Sequence, residues 1–576
     1  MSELVGSGRA LLDRLAVLPA TRWFSYGAVL LVQLRAMWGI WNRDLSGGDT
    51  ASYFFMADLW SDGLGVNLAW SPLYTAFLGT FDWALTDAVT AVRVHRVVIV
   101  VALALLLLAL LRRLLPPWAA LVVCCWWASL PVIYDSVFEV HLFAAFPLIT
   151  GALLLTNEPS LRRKGAVIGL LLAFAVVVRN EAGFVALLLL LAIGADELRA
   201  RRAGAGVPLP RLAAAFGLPV LAALAVLGIT YAQSDIKGDQ LELALDQKHT
   251  RNMCQVIAFN HQQREPADFP GNPFTECQDL TGTLFDDPEP SLVEAWRDNP
   301  SEMLAVTTWN VRLLPQGLQL ALFNGAAGDS NPDYVNQPLG KIWAAGAALL
   351  VVALLVAGAV VIRRDWGRWR PLLYRQRWAW IALAAIAVVV LAVVVFTQRP
   401  RPAYMFGLTA GMLALIGLAA AVLARRFRIE RLAAVGAAIL PLLLIVALPV
   451  RFHEGPTPLA DAFDRLDPVI EREPPEGSSP TVLAAARQPH TYCYYLRPNE
   501  SCSPVTLTRD LLLSDRLPAE LDRLGVTEVY IDELVAGQPG AAALLAGEGG
   551  WRAVRSGAGP RGRWAVLQPE SAPAED

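Results

Sequence analysis

This chain carries little charge for its length. Asp, Glu, Lys and Arg make up only 17% of its 576 residues while 55% are hydrophobic, a balance that a water-soluble protein of this length rarely carries. Much of the surface must therefore face lipid. The formal net charge of -3 is close to neutral but conceals an uneven placement of arginine, so partners cannot be read from the total. No basic, aromatic-rich patch points to nucleic acid, and no internal repeat stands out. A cleavable signal peptide is not expected either. The first apolar run begins near Trp23, is long, and is not followed by a small-residue cleavage site, so it reads as an uncleaved anchor.

Long apolar runs are what the chain does have. A membrane-spanning helix needs about 20 apolar residues to cross roughly 30 Å of hydrocarbon, and about eleven runs qualify. They cover 23–41, 89–111, 117–134, 141–156, 165–178, 182–196, 212–231, 340–362, 378–397, 403–424 and 432–450. Basic residues in short connections are retained on the cytoplasmic side. Arg112 and Arg113, Arg162 to Lys164, Arg199 to Arg202, Arg363 to Arg377 and Arg425 to Arg431 fall in every second connection. This pattern predicts a multi-pass protein of the plasma (inner) membrane with a cytoplasmic N-terminus. Residues 42–88, 135–140, 232–339, 398–402 and 451–576 are then extracytoplasmic.

The expected fold is an all-α polytopic membrane domain over 1–450, including the outward loops 42–88 and 232–339, followed by a small extracytoplasmic α/β domain over 451–576. The 232–339 loop is too long for a simple connection, and its Pro, Asn and Trp content suggests a folded, partly helical cap. In the tail, strand-like runs occur at Thr481–Ala485, Val526–Ile531 and Trp564–Gln568, with a helix-like stretch over Leu511–Leu524. Cys254 and Cys277 lie in the loop, Cys493 and Cys502 in the tail. Two per outward segment suits one disulfide in each. Free thiols or a metal pair are the alternative, although neither segment has the close Cys/His spacing of a zinc site. Cys124 and Cys125 fall within a span and read as small packing residues.

The first outward loop runs from Arg43 through Gly47, Gly48, Asp49 and Thr50 to Tyr53, directly after the first span. A carboxylate held at the membrane surface by a Gly-Gly turn can take a proton from an acceptor hydroxyl, or bind a divalent cation, while the lipid end of a substrate stays in the bilayer. Asp49 also suits the N-cap of a helix beginning near Ala51, and both roles can hold together. Downstream come Trp70-Ser-Pro-Leu-Tyr74, a helix-like run, and Arg93 and Arg96 at the start of the next span. This pattern resembles the GT-C superfamily of membrane glycosyltransferases, which includes protein O-mannosyltransferases, the lipid A aminoarabinose transferase and the catalytic subunit of oligosaccharyltransferase. The resemblance covers roughly the first 230 residues and, more loosely, the whole layout. It implies a lipid-phosphate-linked sugar donor used outside the cytoplasm, inversion at the anomeric carbon, Asp49 as the catalytic residue and Tyr53 in support.

The second outward loop holds Glu139-Val-His141. This is similar to the acidic pair with which oligosaccharyltransferases complete a metal site, so the resemblance implies that Glu139 and His141 join Asp49 around Mn²⁺ or Mg²⁺; a solvated helix cap is the alternative. Arg179, Asn180 and Glu181 interrupt the apolar sequence between two spans. They suit a guanidinium clamp for a sugar-linked phosphate, with Glu181 orienting Arg179, or else the solvated tip of a helical hairpin. Arg399 and Arg401, with Pro400 between them, break the positive-inside pattern. Such an exception asks for an anionic partner, which polyprenyl phosphate supplies, or for snorkelling toward headgroups. Arg35, inside the first span, either snorkels or lines the cavity.

The tail lacks a nucleophile elbow, a Gly-rich phosphate loop and the Trp-Trp-Asp signature of oligosaccharyltransferases, which argues against transfer to asparagine. Asn499-Glu-Ser501 is formally an acceptor sequon. The expectation is thus a glycosyltransferase moving a sugar from a polyprenyl-phosphate donor to an extracytoplasmic glycan, lipid or protein. Asp49 serves the acceptor, and Arg179, Arg399 and Arg401 serve the donor phosphate. A transporter or flippase of a lipid-linked intermediate and a noncatalytic envelope-assembly scaffold are the alternatives.

Overall fold

The computed structural model describes residues 12–38, 49–61, 67–85, 88–130, 139–274, 276–328, 340–447, 458–470, 481–486, 489–496, 502–559 and 562–570. They fall into two compact units. The first comprises Met1–Trp38, Asn67–Tyr74 and Arg96–Phe452; the second comprises Gly39–Val66, Thr75–His95 and His453–Asp576.

Every predicted span falls on a helix. Among the described residues, six helices are long and apolar enough to cross a membrane: Ala88–Leu114, Leu209–Gln233, Lys341–Arg364, Arg377–Phe396, Pro402–Arg426 and Glu430–Ala447. A seventh span results if Leu12–Ala20 and Arg22–Ala36, which meet at 82°, are taken together. The other four are shorter or more charged. Pro117–Ala128, Glu139–Leu154 and Leu161–Val177 have 12, 16 and 17 residues. At 1.5 Å per residue they reach roughly 18–26 Å, short of the hydrocarbon thickness. Glu181–Arg202 is long enough, but its last turns carry Asp196, Glu197 and three arginines.

Lipid tails are as apolar as leucine, so helices in a membrane associate through close contact rather than by hiding from water. Gly165 and Gly169, four residues apart on the Leu161–Val177 helix, show how. A β-carbon on Gly165 would overlap the Ala215 carbonyl oxygen, and one on Gly169 would lie 2.5 Å from Pro219. Both contacts are with the Leu209–Gln233 helix. Arg35 donates to the Ile445 carbonyl at 3.1 Å, tying the first apolar helix to the last.

The long loop folds as the expected helical cap. Its helices span Asp239–Arg264, Cys277–Phe285, Leu292–Asp298 and Pro300–Phe323. They enclose a core of Met253, Ile257, Phe285, Met303 and Val306. Cys254 and Cys277 are disulfide-bonded, with α-carbons 5.5 Å apart.

The second unit contains a five-stranded sheet: β1 (Thr481–Ala485), β2 (Cys502–Thr506), β3 (Glu528–Ile531), β4 (Trp551–Gly559) and β5 (Gly562–Pro569). The order is β2-β1-β3-β5-β4. β1 pairs in parallel with β2 and β3, while β5 runs antiparallel to β3 and β4. Leu483, Val529, Ile531 and Leu567 are fully buried. The helix expected over Leu511–Leu524 is instead two pieces, Arg509–Leu512 and Leu517–Arg523. Pro518 in the first turn of the second piece explains the restart, because proline suits a helix start and cannot continue a preceding one. Cys493 and Cys502 form the second expected disulfide, joining the Pro489–Leu496 helix to β2.

Part of the first loop belongs to this unit. The Asp49–Ser61 helix lays Phe54 and Phe55 against Tyr495 and Tyr494, both ring pairs at 5.1 Å. Phe463 meets Tyr495 at 5.3 Å and Tyr492 meets Tyr530 at 5.8 Å, which carries the aromatic seam to the sheet. The tail therefore positions the helix that Asp49 begins.

Candidate functional site

A tight turn sets the site. The Leu161–Val177 helix stops at Val178, whose backbone departs from helical geometry (φ -134°, ψ -67°), and the next helix starts at Glu181. Arg179 and Glu181 are thereby brought onto one side of a hairpin tip. The Arg179 Nε donates to both Glu181 carboxylate oxygens at 3.0 and 3.1 Å, and its Nη2 donates to Oε1 at 2.6 Å. Such a fork fixes the guanidinium plane. The carboxylate also sits in the first turn of its own helix, where negative charge is favoured.

This pair lines a small cleft of ≈ 50 Å³ together with His141 and Tyr404. The remaining wall is apolar, including Leu148, Phe174, Val390 and Val393. The His141 ring meets the Tyr404 ring edge-on at 4.6 Å. The Arg179 and Arg401 guanidiniums lie 5.8 and 5.7 Å from the Tyr404 ring centre. Arg179, Arg401 and Lys248 all act electrostatically on His141.

Lys248 is the residue that sequence reasoning passed over. It comes from the cap, lies 4.5 Å from the Trp70 ring centre and donates to the Ala69 carbonyl at 2.6 Å. Lys248 thereby ties the cap to the Trp70-Ser-Pro-Leu-Tyr74 segment. Ser71 adopts a left-handed backbone (φ 54°) that non-glycine residues rarely take. Its hydroxyl donates to the Val178 carbonyl at 2.9 Å, immediately before Arg179. In sequence Lys248 follows Asp246 and precedes His249 and Arg251, an ordinary mixed-charge run that does not single it out.

The other predicted residues are placed less uniformly. Arg399 is buried, with its guanidinium 3.9 Å from the Phe259 ring centre and 5.4 Å from that of Phe274, in the cap rather than in the cleft wall. Tyr53 is buried within the second unit. Asp49 begins the Asp49–Ser61 helix, so it occupies the first turn, two residues ahead of the expected start. Glu139 begins the Glu139–Leu154 helix. The Gly47-Gly48 turn, residues 135–138 and the Asn499–Ser501 sequon lie outside the described residues, as do the side chains of Asp49 and Glu139.

His141 is therefore the one predicted metal ligand whose surroundings are described. Three cations act on it and the nearby Glu181 carboxylate is engaged by Arg179, which suits an anion and opposes a divalent cation. No step below runs through a metal. Among the described residues, His261, Glu265 and Asp268 of the cap could bring ligand atoms within 4.8 Å of one another. None of them was among the predicted ligands.

No protein-family model matches the chain, and no curated protein matches it at a significant level. Among solved structures it is similar to the oligosaccharyltransferase of Archaeoglobus fulgidus in complex with zinc and sulfate, at 14% identity over 94% of this chain and 73% of that one, with a TM-score of 0.41. The apo form of the same enzyme gives 13% identity, 96% and 75% coverage and a TM-score of 0.41. The chemistry of the cleft is read from its own side chains.

The connection carrying Arg401 is held from the cap. Asn310 donates to the carbonyls of Val395 and Gln398 at 3.1 and 2.7 Å. At Gly317 an added β-carbon would overlap the Pro400 carbonyl oxygen and lie 3.1 Å from the Met405 sulfur. Gly317→Val should therefore push this connection away from the cleft at an overpacking cost of about 1–3 kcal/mol. The expected result is a lower melting temperature in a protein that still elutes as a single species. An unchanged melting temperature would mean that this contact is not as tight as the Gly317 geometry requires.

Proposed function

We propose that the chain is a GT-C-type membrane glycosyltransferase that takes a sugar from a polyprenyl-phosphate donor and passes it to an extracytoplasmic glycan, lipid or protein. One observation carries this reading: a Glu181-oriented Arg179 lines a cleft with His141, Tyr404 and otherwise apolar walls, and Arg401 and Lys248, outside the lining, are near enough to act electrostatically on His141. Three cations and one carboxylate leave two positive charges, His141 aside. A lipid phosphodiester enters with about one negative charge and leaves as a phosphate monoester with nearly two. The cleft thus holds the departing phosphate more tightly than the bound donor, and preference for the later state is what lowers a barrier. The apolar walls suit the first isoprene units.

In this mechanism the acceptor oxygen attacks the anomeric carbon, the bond to the donor phosphate breaks, and Asp49 takes the acceptor proton. Arg179, Arg401 and Lys248 receive the charge that develops on the leaving phosphate. Arg399, stacked in the cap, anchors the loop that presents Arg401. The predicted orientation, with the cap and the tail outside the cytoplasm, gives the site access to lipid-linked donors of the outer leaflet.

The test is the fate of the donor. Purified full-length protein in lipid nanodiscs is mixed with polyprenyl-phosphate sugars and envelope glycan fractions, and the lipids are followed by mass spectrometry. Conversion of donor to polyprenyl phosphate, with the sugar recovered on an acceptor, is expected. Donor that is translocated in vesicles but never loses its sugar would instead identify a flippase.

A further inference from the structure

Toward the other end of the helices that carry the cleft lies a second, larger cavity, of ≈ 390 Å³. Along the Arg377–Phe396 helix the nearest lining residues are Val390 and Trp380, and along the Phe406–Arg426 helix Gly407 and Leu418, a separation of roughly 15–17 Å of helix rise. The second cavity opens among the arginine-rich connections. Arg113, Arg375 and Arg425 line it with a single carboxylate, Glu430, and Trp369 and Trp380 stand among leucines in its walls. The Arg425 guanidinium lies 5.8 Å from the Trp369 ring centre.

We propose that this cavity is a binding site for the headgroup of an anionic phospholipid. Three arginines against one glutamate leave two positive charges, and a guanidinium fork matches the oxygens of a phosphodiester. Tryptophan favours the level where headgroups meet hydrocarbon, and the leucine wall suits the upper acyl chain. A free phosphate ion would have no use for that wall.

The arginines are placed by a framework rather than by loose loops. Gln376 donates to the Arg113 carbonyl at 3.2 Å and to the Asn157 side-chain oxygen at 2.8 Å. The Asn157 backbone N–H donates in return to the Gln376 side chain at 2.9 Å, and the Glu158 N–H donates to the Arg375 carbonyl at 3.2 Å. Three separate connections are thereby pinned around one space, and a site formed in advance spares a ligand the cost of ordering it. The Trp366–Arg375 helix supplies one wall and exposes Trp366, Leu372 and Tyr374. Basic, apolar and short, it has the character of a helix lying in the membrane interface. Arginines at helix ends also occur wherever basic connections stay on one side of a membrane, and that general tendency needs no cavity.

The experiment compares lipid retention by the purified full-length protein and by the Arg375→Ala/Arg425→Ala double variant. Both arginines are exposed and neither touches the cleft. Each protein is delipidated, titrated with phosphatidylglycerol or phosphatidylcholine, and examined by native mass spectrometry. The wild type should keep one phosphatidylglycerol in preference to phosphatidylcholine, and the double variant should lose about thirtyfold of that preference. Arg211→Ala, which removes an exposed basic residue outside the cavity, should leave it intact. The proposal is overturned if the double variant keeps the full preference, if Arg211→Ala lowers it equally, or if inorganic phosphate displaces the lipid at matched concentration. Unchanged melting temperatures across the variants keep a folding defect from imitating the expected loss.

Discussion

Asp49→Asn should lower sugar transfer by about 10²–10⁴-fold, the usual contribution of a general base, while leaving the protein folded. Asparagine is chosen because it separates two roles. Asp49 starts the Asp49–Ser61 helix, where a carboxylate gains roughly 0.3–1 kcal/mol from the helix dipole. Asparagine caps helices about as well as aspartate but cannot take a proton. A structural residue would then show a small loss of stability and nearly full activity. A base would show the reverse. Asp49→Ala removes both functions and is less informative for that reason. The readout is the initial rate of donor consumption, with the melting temperature measured alongside.

The second large effect is expected at Arg179. Arg179→Ala should cost about 10²–10³-fold in transfer, comparable to the loss of one preorganised donor from a site of developing negative charge. Arg179→Lys should recover little, since an ammonium cannot hold Glu181 through two nitrogens and also present a planar face to the phosphate. Part of any alanine effect comes from the Glu181 carboxylate left without its partner. Adding Glu181→Gln to Arg179→Ala removes that stranded charge. The double variant should regain stability without regaining activity, and recovery of both would mean that Arg179 acts only as a structural counter-charge.

How far the sequence could be read follows from where its signals are local. Apolar runs are contiguous, so each predicted span fell on a helix, although length alone did not separate full crossings from the 12-residue Pro117–Ala128 helix. Cysteines counted by segment gave both disulfides. Three of five strands were visible because they lie inside the sheet and carry buried runs such as Val529 to Ile531. The two that escaped notice, β2 and β4, are its edges. β2 contains Pro504 and β4 contains Gly557 and Gly559, residues that edge strands tolerate and that weaken a strand pattern. Arg179 and Glu181 stood out as charges in an apolar sequence. Lys248 and Tyr404 did not, because neither is unusual until the cap and a late connection converge on the same cleft. Nor could local reading show that the tail holds the Asp49 helix, a contact made by aromatic residues more than 400 positions apart.

The most direct test of the proposed function is the affinity for polyprenyl monophosphate, the product that the cleft should hold best. Wild-type protein in nanodiscs, Arg179→Ala and the Arg375→Ala/Arg425→Ala variant are titrated side by side. The wild type should bind about one lipid phosphate per chain, Arg179→Ala should bind at least about thirtyfold more weakly, given that a charge-assisted hydrogen bond contributes about 1.5–3 kcal/mol, and the far-end variant should match the wild type. Equal binding by the wild type and Arg179→Ala would contradict a donor-phosphate site at this cleft.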